Sequence, residues 1–171
     1  MNNRLTPIVR ALLIANVVMF VLQNLLGELS MLPLMLWPTG RHFIGMDHGL
    51  PVMVGFEFWQ LVTYGFLHSN LTHLFFNMFA LWMFGPALEA TLRSRRFLIY
   101  YFVCVIGAGL VQLAVVTAAL KQGEPPFPTV GASGGVFGLL LGFGLLFPKT
   151  RLMLIFPPIE LSAINFVLFY G

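Results

Sequence analysis

The stretch Gly131-Ala132-Ser133-Gly134-Gly135-Val136-Phe137-Gly138 opens an apolar run and follows a loop holding Pro125, Pro126 and Pro128. Gly131 and Gly135, Gly134 and Gly138, and Gly138 and Gly142 are each four residues apart. On a helix such pairs form a nearly bare ridge, against which a neighbouring backbone can come very close. One hydroxyl, that of Ser133, sits at the mouth of the ridge. Taken alone, the stretch fits a packing seam with an incidental serine better than it fits an exposed nucleophile.

The composition around this ridge defines the class. Of 171 residues, 58% are hydrophobic and 9% charged, and the mean hydropathy is +0.90. A soluble domain carries about 25% charged residues, so the chain is expected to be one polytopic membrane domain over residues 1–171. The net charge of +3 does not point to nucleic acid, because the basic residues are spread over several loops and form no single patch. Cys104 stands alone in an apolar run, which excludes an intramolecular disulfide and a cysteine-rich metal cluster. It is expected to behave as a small buried hydrophobe.

Outward from the ridge, the apolar runs divide the chain. Residues 8–26 follow Pro7, which suits a first helical turn. Their length is about that of a bilayer span, and no small-residue cleavage site follows. Residues 27–58 are too broken by proline and charge to span, and too apolar for a free loop. They are expected to form an interfacial loop dipping into the headgroups, with Trp37 and Trp59 as aromatic anchors. His42 and His48 of this loop are expected to be solvated. Residues 71–92, 97–120 and 132–147 supply three further spans. A fifth apolar run begins near Pro158 and is still apolar at Gly171, as if part of a fifth helix. The expected fold is thus all-α, a membrane helical bundle with four complete spans and part of a fifth.

Orientation follows from the basic residues. With the N-terminus inside, Arg4, Arg10, Arg93, Arg95, Arg96, Lys149 and Arg151 fall inside, and Arg41 and Lys121 outside. This positive-inside bias puts Ser133 toward the outer face. Ser133 lies sixteen residues before Lys149, roughly 24 Å of helix. The hydrocarbon core is about 30 Å thick, so Ser133 is expected several Å below the outer surface. Asn77 lies as far from Arg93, and His73, four residues earlier, shares its helix face.

Polar groups at membrane depth are costly and usually functional. A hydroxyl, an imidazole and a carboxamide together suit acyl transfer, with serine as nucleophile and the other two as donors to a developing oxyanion. His73 and Asn77 equally fit interhelical hydrogen-bond glue. Zinc is disfavoured, because His68 and His73 are five residues apart and no HExxH is present. No metal or organic cofactor is expected.

The run His68-Ser69-Asn70-Leu71-Thr72-His73-Leu74-Phe75-Phe76-Asn77-Met78, followed by Gly131-Ala132-Ser133-Gly134, resembles the rhomboid intramembrane serine proteases. HxxxxHxxxN paired with GxSG is specific, and the resemblance extends from Trp59 onward. It implies that Ser133 is the nucleophile. It implies that His73, Asn77 and the Ser133 N–H form the oxyanion hole, with His68 and Gly131 supporting the site and His68 its water. It further implies hydrolysis of peptide bonds in or near transmembrane helices of membrane-protein substrates. The expected setting is the lipid bilayer of a bacterial inner (plasma) membrane, with the N-terminus cytoplasmic.

Two departures stand out. The family's Trp-Arg pair is here Trp59-Gln60. The family's general base is a histidine on a sixth span, and no histidine follows His73. Residues 1–171 alone are therefore expected to be inactive. A second reading is a proteolytically inactive rhomboid-like protein that binds membrane clients, although a pure binder has no need of GxSG. A small transporter is disfavoured by the lack of midplane charges.

Overall fold

The structure is a computed structural model that describes residues 5–153, 160–163 and 165. Its main elements are helices. They are α1 (Pro7–Leu26), the single turns α2 (Glu28–Met31) and α3 (Gln60–Thr63), α4 (Leu71–Leu92), α5 (Ser94–Lys121) and α6 (Ser133–Leu146). Three of them, α1, α4 and α5, are long and apolar enough to cross a membrane. The α6 helix has 14 residues, roughly 21 Å. It ends at Leu146 with Phe147 as C-cap, so the expected unbroken helix from Ser133 to Lys149 stops short.

The expectation of an all-α fold needs correction. In the loop after α1, β1 (Arg41–Asp47) and β2 (Leu50–Gly55) pair antiparallel. The turn between them has His48 at φ 47 and Gly49 at φ 81. Two positive-φ residues make the tight turn whose twist matches a hairpin, and glycine meets that demand without steric cost. Val52 and Val54 supply the β-branched residues that suit a strand. Trp37 also departs from expectation. It is buried, 3% exposed, and its indole N–H donates to Leu32 O at 2.8 Å. Trp59 is exposed and donates to Pro33 O at 2.9 Å.

Gln60 explains how this loop holds together without an arginine beside Trp59. Its side chain is 1% exposed. Its amide oxygen accepts from Trp37 N at 3.2 Å, and its amide nitrogen donates to Gly55 O at 3.1 Å. One carboxamide thus ties the end of β2 to the segment after α2. A second short pair, β3 (Arg151–Met153) with β4 (Glu160–Ser162), follows α6. The part of the fifth apolar run described here therefore begins as a strand, and most of that run lies outside the described residues.

The α1 and α4 helices run antiparallel, because the N-terminal turn of α1 meets the far end of α4. A Cβ on Gly85 of α4 would come within 2.7 Å of a Val9 methyl. Glu89, also on α4 and 2% exposed, accepts from Ile8 N at 3.1 Å and Val9 N at 3.0 Å. It also accepts from Ser94 Oγ at 2.6 Å. The first N–H groups of a helix have no intrahelical acceptor, and a carboxylate there also meets the positive end of the helix dipole. Glu89→Ala would leave buried donors unpaired, each worth about 1–3 kcal/mol. The variant is expected to unfold about 3 kcal/mol more easily in detergent. A loss below about 0.5 kcal/mol would mean that solvent replaces the carboxylate.

The glycine ridge packs on α5, at the heart of the core. Cβ atoms at Gly134 and Gly138 would run into Ala108 and Cys104, and one at Gly135 would lie 2.6 Å from the Tyr101 ring. The half-buried Tyr100 closes the seam by donating its hydroxyl to Gly138 O. Gly131, which the spacing places on the ridge, lies outside it, because α6 begins two residues later. Phe84 of α4 stacks edge-on against Phe143 of α6 at 5.0 Å, so α6 is gripped from both sides.

Candidate active site

Ser133 is the first residue of α6, with Ala132 as N-cap. Its side chain is half-buried, and among the described residues its hydroxyl has no hydrogen-bond partner. The approach to it is pinned by three backbone hydrogen bonds. Thr129 and Leu36 exchange backbone hydrogen bonds at 2.8 and 3.1 Å, and Gly131 N donates to Tyr64 O at 2.9 Å. Tyr64 is itself fixed, since its hydroxyl donates to Val105 O at 2.7 Å. Burial pushes that phenol up to about 12, so it stays protonated and remains a donor.

His73 sits in the first turn of α4. Asn70 is the N-cap, its Oδ1 accepting from His73 N at 2.8 Å. Asparagine ahead of an apolar run is a standard helix start, so the turn that carries His73 is locally encoded. Nδ1 of the ring meets Ser69 Oγ at 3.2 Å. The other edge of the ring faces Gly131. A Cβ there would stand 2.6 Å from Cε1 and 2.8 Å from Nε2 of His73, and 3.7 Å from Ser133 Oγ. The imidazole and the hydroxyl therefore converge on one glycine, whose φ of +132 suits no L side chain.

Asn77 is buried one turn further along α4, 5% exposed. Its amide donates to His73 O at 2.9 Å, which engages one N–H and leaves the second. His68 lies just before α4, wholly buried, with its ring centroid 5.1 Å from that of His73. Among the described residues neither ring nitrogen of His68 makes a hydrogen bond. Burial, then the neighbouring His73, push His68 down to about 4, so it is neutral near pH 7.

Sequence reasoning passed over Gln23. From α1 it clamps the His68 backbone in both directions, donating to His68 O at 2.8 Å and accepting from His68 N at 3.2 Å. The Gln23-Asn24 pair of carboxamides near the end of an apolar span was the available signal. Ser69 and Tyr64 were also passed over. His42 and His48 stay apart from the site, in β1 and in the hairpin turn. Among the described residues no group of three or more His, Cys, Asp or Glu could hold a metal ion.

A family model described as the Rhomboid domain matches residues 55–171. The chain belongs to the rhomboid family. The match takes in all five candidate residues of this rhomboid domain, and leaves α1 and most of the hairpin outside it. The chain is 37% identical over 84 residues to rhomboid protease GluP of Bacillus subtilis (strain 168), which covers 49% of this chain and 15% of that protein. It is 39% identical over 84 residues to the putative rhomboid protease YdcA of the same organism, covering 48% and 38%. The chain thus spans well under half the length of either relative. Its family and its apolar helices make it an integral membrane protein.

Proposed function

We propose that this single rhomboid domain is an intramembrane serine protease, cleaving peptide bonds in or near transmembrane helices of membrane-protein substrates. Ser133 Oγ attacks the scissile carbonyl. With the Ser69 hydroxyl donating to Nδ1, His73 carries its proton on Nε2, the atom that faces Gly131 and Ser133. That N–H, the free amide hydrogen of Asn77 and the Ser133 N–H at the α6 N-terminus hold the oxyanion. Collapse of the tetrahedral intermediate, with the proton taken from Ser133 returned by the base to the departing nitrogen, expels the amine and leaves an ester on Ser133, which water then hydrolyses.

His68 and Gly131 support these groups without touching the carbonyl. The proton of Ser133 needs an imidazole that none of the four histidines here supplies. His42 and His48 are remote, His68 is enclosed, and His73 serves the oxyanion. In the rhomboid family that role belongs to a histidine of a sixth span, and no histidine follows His73 in these 171 residues. The α6 helix is read as a fourth membrane-embedded element, with the N-terminus cytoplasmic and the site toward the outer face of a bacterial inner membrane.

The observation that carries the reading is the convergence of His73 Nε2 and Ser133 Oγ on the bare Cα of Gly131. The protein in its full genomic length is expected to label with a fluorophosphonate at Ser133, and the 171-residue chain alone is not. Absence of labelling in the full-length protein would favour a client-binding role. Labelling of the shorter chain would require a base among His68 and His73.

A further inference from the structure

We infer that the polar cavity beside Ser69 binds a lysine or arginine side chain of the substrate, with Glu28 as its counter-ion. This inference rests on the protease reading above.

The cavity has a volume of about 450 Å³ and lies between the end of α1, the start of α2 and the loop before Gly131. Its wall includes Ser69, which holds Nδ1 of His73, and Val130, which precedes Gly131. The cavity wall is thus continuous with the loop that leads to Ser133 and with the residue that holds His73. Glu28 brings the one charge in the wall, and no lysine, arginine or histidine lines it. Among the described residues the Glu28 carboxylate has no ion-pair partner.

Asn24 gives one amide N–H to Phe20 O, which leaves its amide oxygen as an acceptor and its second N–H as a donor. Gln23 is spent on the His68 backbone, so it stiffens the wall. Met35, Pro128 and Val130 supply apolar surface. A long basic side chain suits this mixture, because its methylene stem covers apolar groups while its head meets a carboxylate. An acidic side chain would bring like charges together at Glu28, the one charged group of the wall.

The test uses the full-length protein and a transmembrane substrate that it cleaves. Residues flanking the cleaved bond are changed in turn to Lys, Gln or Glu, and kcat/KM is measured for each. At one position the Lys substrate is expected to exceed the Gln substrate about fivefold, as for a part-exposed ion pair. Raised salt should shrink the ratio. Glu28→Gln should bring the ratio near one, and Glu28→Lys should place the Glu substrate first. Cleavage with no charge preference at any position, or a preference that Glu28→Gln retains, overturns the inference and leaves the protease reading standing. Failure to cleave any substrate overturns both.

Discussion

Ser133→Ala in the full-length protein is expected to abolish cleavage of a transmembrane substrate, by on the order of 10⁴–10⁶-fold in kcat. The size follows from the chemistry. In the proposed mechanism the Ser133 hydroxyl forms the ester intermediate, and the other hydroxyl described at the site, that of Ser69, is held by His73 Nδ1. The fold should survive. Ser133 makes no side-chain hydrogen bond among the described residues, and it is Gly134, Gly135 and Gly138 that pack on α5. Thermal unfolding in detergent should therefore shift little while activity disappears. Cleavage by the purified variant within about tenfold of wild type would sink the assignment of Ser133 as nucleophile.

The sequence made the membrane helices and the site legible for the same reason: both are written in local spacing. Apolar runs of span length mark α1, α4 and α5, and the Gly134-Gly138-Gly142 spacing marks the seam with α5. The hairpin was less legible, since Pro51 within β2 argues against a strand. His48-Gly49, followed by the β-branched Val52 and Val54, was the signal for it.

Non-local partners could not be read at all. A glutamate in an apolar span must find a partner, but nothing in the spacing says that it caps a helix some eighty residues earlier. Gln23 and His68 pose the same problem, because their bonds depend on how α1 lies against the loop before α4. Gly131 is instructive in another way. Its spacing to Gly135 suggests a ridge position, yet the structure gives it a positive φ outside the helix, where it faces His73. The spacing was right about the need for a bare Cα and wrong about the neighbour that requires it.

Gly131→Ala is expected to lower kcat by on the order of 10²–10³-fold, the effect of losing one oxyanion donor. Two effects act together. At φ +132 an alanine is strained, with a cost of about 1–3 kcal/mol. The added methyl would also stand 2.6–2.8 Å from the His73 ring, closer than non-bonded atoms allow. Ser133 Oγ, at 3.7 Å, is in ordinary contact and need not move. The ring must therefore give way, and its bond to Ser69 and its aim at the oxyanion go with it. Fluorophosphonate labelling of Ser133 should fall less than turnover. The decisive comparison is a double-mutant cycle. In a His73→Ala background the methyl has no ring to displace, so Gly131→Ala should cost only what backbone strain costs. If the glycine change lowers kcat equally with and without the imidazole, Gly131 acts through the backbone alone. A Gly131→Ala protein that folds and turns over within about threefold of wild type would show that His73 need not sit where the structure places it.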